Sequence, residues 1–360
     1  MNPTTKLGFL FALSVPCLAN AADPVAASAR SSMPTASGQI RQFAFDGDAE
    51  SYFQADKAAA SDHFTLTFDK PVTIRSVSVT TGKPGGEGKL DAGQLEVSAD
   101  GEAFGQPQPF VDGALAAKFD GPPIKAIRIK PTKDQDHPLA IREIKIESDP
   151  AVAVFRHPVE YTVDVADAPE LKEWAEKVAL LCEAWYPRLV DELPSDGFKP
   201  TQRVKLVLSN DYKGVAAAGG GRITGSVKYY KDHPDDLGSM IHETVHIIQN
   251  YRSRRNPGWL VEGLADYIRF FEFEPADAIG PINGARARYN DSYRTSARFL
   301  AFVKEKYAPT LITEMNRRMR EGRYSDEAFR ELTGKDLKEL DEEWRATLPR
   351  REPRKKAEAN

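Results

Sequence analysis

Hydrophobic and polar residues alternate with a period of two from about residue 40 to residue 148. Successive side chains on a strand point to opposite faces of a sheet, so this alternation predicts strands with one buried face. Turn sequences such as Asp69-Lys-Pro71 and Asp100-Gly101 separate the alternating runs at the spacing of an antiparallel sandwich. We therefore predict an all-β sandwich over residues 40–148. The alternating pairs are Phe64 and Leu66, Val77 and Val79, Leu95 and Val97, Ile127 and Ile129, and Ile144 and Ile146.

The pattern becomes helical after Ser148-Asp149-Pro150, where we place a domain boundary. Apolar residues at intervals of three and four begin at Leu171 and predict a helix with one buried face. The glycine-rich segment 214–230 lacks the spacing and the following helix of a phosphate-binding loop. We predict that this segment is a flexible bend leading into an edge strand. The second domain is expected to span residues 153–348.

The two ends of the chain differ from both domains. Lys6, a short apolar run and Ala19-Asn20-Ala21 form the pattern of a cleavable export signal over residues 1–21, which predicts a secreted or periplasmic protein. Residues 22–39, rich in Ala, Ser and Pro, suggest a flexible lead-in, and residues 349–360 suggest a charged disordered tail. No later stretch approaches the roughly 20 apolar residues of a membrane span, so an integral membrane protein is not expected.

Charge and composition exclude one class of partner. The chain has 49 basic and 53 acidic residues, a formal net charge of −4, with an ordinary 41% of hydrophobic residues. Nucleic-acid binding usually requires a basic field, which this balance does not provide. We expect no nucleic-acid partner.

Candidate chemistry lies in HETVH at residues 242–246, within a predicted helix. A separation of four residues places His242 and His246 on the same helical face. Two imidazoles suit a catalytic zinc ion, which takes three protein ligands and keeps one position for water. Glu243 would then be the general base that activates the zinc-bound water.

A third ligand is available in EGLAD at residues 262–266, on a second predicted helix. Glu262 and Asp266 share a face because they are four residues apart. We predict that Glu262 binds the zinc and that Asp266 accepts a hydrogen bond from a ligating histidine, as such imidazoles usually require.

The second domain resembles the plant-type basic secretory proteins and their bacterial relatives, which are gluzincin-like zinc peptidases. The similar segments are GVAAAGGGRITGSVKYY, HETVHIIQNY, PGWLVEGLADYIRF, YRTSARFLAF and YSDEAFRELTGKDLKELDEEW, within roughly residues 155–348. This resemblance implies zinc ligands at His242, His246 and Glu262 and a base at Glu243. It also implies an α+β gluzincin-like fold, in which an edge strand binds extended peptide or protein substrate.

The first domain resembles the discoidin-type (F5/8 type C-like) jelly-roll domains. The similar segments are FTLTFDKPVTIRSVSVTTG, GQLEVSADGEAF and PLAIREIKI. Domains of this family commonly bind glycans or lipid head groups, so the resemblance implies a glycan or cell-surface ligand but identifies no binding residues. The expected fold is a jelly-roll sandwich followed by a gluzincin-like domain.

Peptide hydrolysis needs a further donor for the transition-state oxyanion. Tyr293 is our candidate, ahead of Arg298, Tyr229 and Tyr230, although its helical spacing also suits half-buried packing. Gln249, one turn beyond His246, lines the cleft or forms a local hydrogen bond; the sequence does not distinguish these roles.

The sequence favours a secreted zinc metallopeptidase with an accessory discoidin-like module. Two alternatives stay open. One is a zinc hydrolase acting on a different amide or ester. The other is a glycan-binding adhesion protein whose metal site is structural or vestigial, although a retained Glu243 argues against that role.

Overall fold

The computed structural model describes residues 23–275, 277–284, 286–291 and 293–349. The expected export signal (1–21) and residues 350–360 of the expected tail lie outside the described residues. An all-β sandwich forms the N-terminal part, and helices with a small sheet form the C-terminal part. The predicted multidomain fold is therefore confirmed.

The sandwich has two antiparallel sheets that share one long strand. Its strands are β1 (Ala27–Ser31), β2 (Phe53–Ala55), β3 (Phe64–Thr81), β4 (Gly93–Ser98), β5 (Gly105–Pro109), β6 (Ala114–Lys118), β7 (Ile124–Pro131) and β8 (Leu139–Asp149). One sheet has the order β5-β4-β7-β3-β1 and the other the order β2-β8-β3-β6. Alternate residues of these strands fill the core between the sheets, as the period of two predicted.

Strand β3 does not end at Asp69-Lys-Pro71, where we predicted a turn. The strand continues to Thr81, and its register with β7 shifts between Thr67 and Val72. Pro71 has no N–H to donate to a ladder, so it fits at such an irregularity. Residues before it pair in the first sheet, and residues from Thr73 onward pair with β8 in the second. The predicted turn is thus the point where β3 passes between sheets.

The predicted flexible lead-in (22–39) is wrong, because part of this segment is a strand. Residues Ala27–Ser31 form β1, whose five residues pair with Phe64–Phe68 of β3. Ala29 is fully buried in this position. The short side chains of this segment form no alternating apolar pattern, so local sequence did not reveal a strand that long-range pairing holds in place.

The C-terminal part is built on a four-stranded sheet with the order β11-β12-β10-β9. Its strands are β9 (Glu160–Asp164), β10 (Arg203–Ser209), β11 (Ala216–Gly219) and β12 (Arg222–Ser226). Its helices are α1 (Lys172–Glu192), α2 (Val227–Asp232), α3 (Gly238–Gln249), α4 (Gly258–Ile268), α5 (Tyr293–Lys306), α6 (Leu311–Arg320), α7 (Glu327–Thr333) and α8 (Leu337–Thr347). The glycine-rich segment thus provides the edge strand β11, as predicted. The predicted flexible bend without a following helix is wrong, because the segment forms a β11–β12 hairpin and its last residues begin α2.

Polar contacts join the sandwich to the C-terminal part. Arg41 lies 2.6 Å from Glu183 on α1 and 3.0 Å from Glu160 on β9, measured between the closest charged atoms. Thr35 also donates a hydrogen bond to Glu160, at 2.7 Å. Both carboxylates are buried, so the two parts share a desolvated ion-pair network.

Among the described residues, every helix is too short or too polar to span a membrane.

Candidate metal centre

Helix α3 holds the first two residues of the predicted zinc site. It carries His242 and His246 on the same face, and their Nε2 atoms are 3.0 Å apart. The exposed fraction of His242 is 8%, and most of the helix around it is buried. Core packing along α3 therefore fixes the backbone from which both imidazoles project.

Helix α4 brings Glu262 to these histidines. Glu262 Oε2 lies 3.2 Å from His242 Nε2 and 3.1 Å from His246 Nε2. A Cβ at Gly263 would come within 2.8 Å of Ser296 Cβ on α5. Since glycine permits this approach, α4 packs closely on the helix that carries Tyr293.

The other ring nitrogen of each histidine contacts an oxygen acceptor. His242 Nδ1 lies 2.7 Å from Asp266 Oδ1, and His246 Nδ1 lies 2.7 Å from Gln249 Oε1. The Gln249 amide in turn donates to the carbonyl of Val261 at 3.0 Å. The structure therefore brings Asp266 to His242 as the sequence predicted. Gln249 has both of the roles considered for it, since it forms local hydrogen bonds and also lines the cleft beside the triad.

The three facing atoms fit a metal ion. If each Nδ1 donates its hydrogen, each Nε2 presents a lone pair towards the other and towards the Glu262 carboxylate. Such an arrangement needs a cation at its centre. Two zinc ligands at about 2.05 Å and a tetrahedral angle lie roughly 3.3 Å apart, close to the observed spacings. Within the described part of the chain, the ligand atoms of these three residues lie within 4.8 Å of one another, close enough to hold one metal ion.

The pKa values of these groups reflect the same need for positive charge. Burial lowers the pKa of His242, but hydrogen bonds with Asp266 and Glu262 raise it to about 9. Burial raises the pKa of Glu262, but the two histidines lower it to about 2. The carboxylates thus favour a cation between the rings, whether a proton or a metal ion.

Glu243 lies beside the triad without belonging to it. Its exposed fraction is 7%, and its Oε2 atom has no hydrogen-bond partner among the described residues. Burial raises the pKa of Glu243, although the two histidines oppose the shift. A buried carboxylate with an unsatisfied oxygen is costly, so its presence here suits a group that exchanges protons.

The triad opens into a cleft of about 1050 Å³. Residues 214–221, including β11, form one wall, and β11 packs against α3. Strand β11 pairs only through one side, with β12, among the strands of the described residues. Its other side can therefore accept an extended chain.

Tyr293 also lines the cleft, with its ring centroid 6.0 Å from that of His242. Its side chain is 53% exposed, so about half of it is covered, and the half-buried packing considered from the sequence also fits it. The charge of Glu262 raises the pKa of Tyr293, which keeps the hydroxyl protonated.

The other three donor candidates are already engaged. The Tyr229 hydroxyl donates to Asp236, Tyr230 is fully buried against Ser239, and Arg298 donates to the carbonyl of Gly280. Tyr293 therefore stays the candidate with a free hydroxyl in the described cleft.

Comparisons with known proteins identify both parts of the chain. The family model described as "Peptidase of plants and bacteria" matches residues 160–344, and the F5/8 type C domain model matches residues 26–144. No curated protein matches the chain.

Several solved structures are similar to one third of the chain. One is CBM32-1 from a family 31 glycoside hydrolase of Clostridium perfringens, with 20% identity over 33% of this chain and 92% of that chain, and a TM-score of 0.29. Another is the lectin domain of lectinolysin complexed with Lewis B antigen, with 15% identity over 33% of this chain and 91% of that chain, and a TM-score of 0.30. A third is the family 32 CBM of C. perfringens NanJ in complex with galactose, with 16% identity over 33% of this chain and 92% of that chain, and a TM-score of 0.29.

Proposed function

Because the chain belongs to the family described as peptidase of plants and bacteria, we propose that it is a zinc-dependent peptidase that hydrolyses peptide bonds in the cleft beside β11. The observation that carries this proposal is the convergence of His242 Nε2, His246 Nε2 and Glu262 Oε2 at 3.0–3.2 Å, next to a buried carboxylate. A zinc ion held there would supply a Lewis acid towards a substrate carbonyl and would make water more acidic.

Glu243 moves the proton in this mechanism. Its carboxylate takes a proton from the attacking water and later delivers it to the leaving amine nitrogen, so both atoms and charge balance. The raised pKa of Glu243 suits this exchange near neutral pH. The packing of α3 holds the Glu243 carboxylate in place, because rotation of this helix would break the contacts of its buried residues.

Strand β11 positions the substrate. An extended peptide would add to its free side and bind through main-chain hydrogen bonds. Tyr293 would donate its hydroxyl hydrogen to the oxygen that becomes negative in the transition state. These contacts would place a peptide carbonyl between the triad and Glu243.

Two measurements test this proposal. Metal analysis of the purified chain is expected to find about one zinc ion per chain. Glu243→Gln should retain the zinc and lose roughly 10²–10⁴-fold in peptide hydrolysis, the usual contribution of a general base. Glu176→Gln, on the exposed side of α1, is the control and should keep both. Unchanged hydrolysis by Glu243→Gln would contradict the mechanism.

The sandwich has a separate proposed role. Its match to the F5/8 type C domain supports an accessory module that binds a glycan on a surface. A glycan array probed with the full chain should show binding, and removing zinc with a chelator should leave that binding unchanged. A blank array would contradict a glycan-binding role, and loss of binding together with the metal would assign the glycan to the metal centre instead.

Export is also part of the proposal, because the pattern of residues 1–21 is that of a cleavable signal. N-terminal sequencing of the chain recovered outside the cytoplasm should show that this chain begins near Ala22. An intact Met1 in that fraction would contradict it.

A further inference from the structure

Two arginines, Arg269 and Arg294, line the cleft, and the proposed mechanism uses the charge of neither. Arg294 lies in the first turn of α5, directly after Tyr293, and its exposed side chain lines the cleft. Its guanidinium carbon lies 4.9 Å from the centroid of the Phe270 ring. A cation over a ring uses the flat face of the guanidinium, so the N–H groups at its edge stay available.

Other charged groups at this end of the cleft are already paired. Arg269 lies 2.6 Å from Asp236 and 2.6 Å from Glu274. Asp236 also accepts a hydrogen bond from the Tyr229 hydroxyl at 2.7 Å. These contacts neutralise Arg269 and fix Asp236 in place, so neither group is available to a ligand.

Arg294 differs from Arg269 in having no carboxylate partner within the ranges that the structure describes. Two other acidic groups of the cleft have their own partners, since Glu262 faces the histidines and Asp266 contacts His242 Nδ1. Within the described residues, the chain therefore presents a guanidinium without a carboxylate partner in the cleft, whereas the guanidinium of Arg269 is paired.

The position of Arg294 relative to the metal centre suits contact with a substrate. The preceding residue, Tyr293, is in ring contact with His242, and consecutive Cα atoms are about 3.8 Å apart. An extended peptide advances about 3.3 Å per residue. Since Arg294 and the triad line the same cleft, an extended peptide bound at the triad can pass Arg294 within a few residues.

We propose, on the basis of the peptidase function proposed above, that Arg294 determines specificity by binding a carboxylate of the peptide substrate. The planar edge of a guanidinium matches the two oxygens of a carboxylate and forms charge-assisted hydrogen bonds. The carboxylate belongs either to an acidic side chain near the cleaved bond or to the C-terminus of a short peptide. Both sources offer the same group to Arg294.

The test measures peptide binding rather than hydrolysis, so that it does not depend on turnover. Short fluorescein-labelled peptides are titrated with the zinc-loaded full chain carrying Glu243→Gln, and anisotropy gives each Kd. In the first series, each peptide carries a single glutamate at a different position, and its neutral twin carries glutamine at that position. In a second series the C-terminus is free or amidated. The first series detects a side-chain carboxylate, and the second detects a terminal one.

In one of these two series, the peptide with the carboxylate should bind about tenfold more tightly than its neutral twin, as expected for a charge-assisted hydrogen bond. Which series shows the difference identifies the source of the carboxylate. Adding Arg294→Gln should bring that ratio close to one. Adding Arg294→Glu should reverse the preference towards a lysine twin, which a folding defect would not do. The matched control is Arg254→Gln, an exposed arginine outside the cleft lining, which should leave the ratio unchanged.

Ratios near one for every twin pair, or a ratio that survives Arg294→Gln, would overturn the inference. Absence of any peptide binding would overturn it as well. Hydrolysis by the unmodified zinc-loaded chain is measured separately. If the Arg294-dependent preference is present but no peptide is cleaved, the peptidase proposal fails while the carboxylate site stands.

Discussion

Asp266 Oδ1 lies 2.7 Å from His242 Nδ1, in a contact that joins α4 to α3. The carboxylate is 4% exposed, so water does not compete for it. Because Asp266 and Glu262 are one turn apart on α4, a single helix contacts both nitrogens of the His242 ring. The ring is therefore fixed in orientation and in tautomer from both sides.

Removing the charge at Asp266 should weaken metal binding without removing a ligand. Asp266→Asn is expected to lower zinc affinity by roughly 10–100-fold, the usual effect of changing the partner of a ligating histidine. Competition with a chromophoric chelator measures the affinity. Asp196→Asn, in an exposed loop, is the control. An unchanged affinity for Asp266→Asn would show that His242 needs no such partner.

The three candidate metal ligands were predictable from sequence because their geometry is local. His242 and His246 need only one helix, and Glu262 and Asp266 need only a second helix with a spacing of four. The resemblance to a known family then set the pairing of those helices.

Gln249 and Arg294 show where local sequence stops being informative. The amide of Gln249 bonds to His246 and to Val261 on the next helix, which requires the loop between α3 and α4 to close. Arg269 differs from Arg294 in the folded chain because Asp236 and Glu274 pair with Arg269, whereas no described carboxylate pairs with Arg294. The missed strand β1 is a similar case, since its paired residues lie 33 to 41 residues further along the chain.

The contact of Arg41 with Glu160 and Glu183 should make the sandwich important for the stability of the peptidase part. Arg41→Ala leaves two buried carboxylates without their cation. We expect a loss of about 3–5 kcal/mol in the free energy of unfolding, measured by urea denaturation. Arg75→Ala removes the exposed pair with Asp149 and should cost no more than about 1 kcal/mol. Equal losses would mean that the buried network adds nothing.

Glu183 should make stability depend on pH. Burial raises its pKa to about 7 from 4.5, although Arg41 opposes the shift. A raised pKa in the folded state means that folding favours the protonated form. Its contribution is therefore complete below about pH 4.5 and is lost as the pH rises through about 7.

Glu183→Gln should remove this dependence, because its amide oxygen can still accept the N–H of Tyr161. The melting temperature of the variant relative to the unmodified chain should increase between pH 5 and pH 8. The matching free-energy change is at most about 3 kcal/mol. A difference that stays constant over this range would contradict the raised pKa.

Tyr293→Phe tests the oxyanion donor by removing a single oxygen. Since the side chain is 53% exposed, the variant should fold normally and bind zinc as before. Loss of one oxyanion donor usually costs about 10²–10³-fold in kcat, and we expect a loss of that order with little change in KM. Tyr324→Phe, whose hydroxyl bonds to Asp326 outside the cleft, is the control. If kcat is unchanged while KM rises, Tyr293 binds the ground state of the substrate and another group must stabilise the oxyanion.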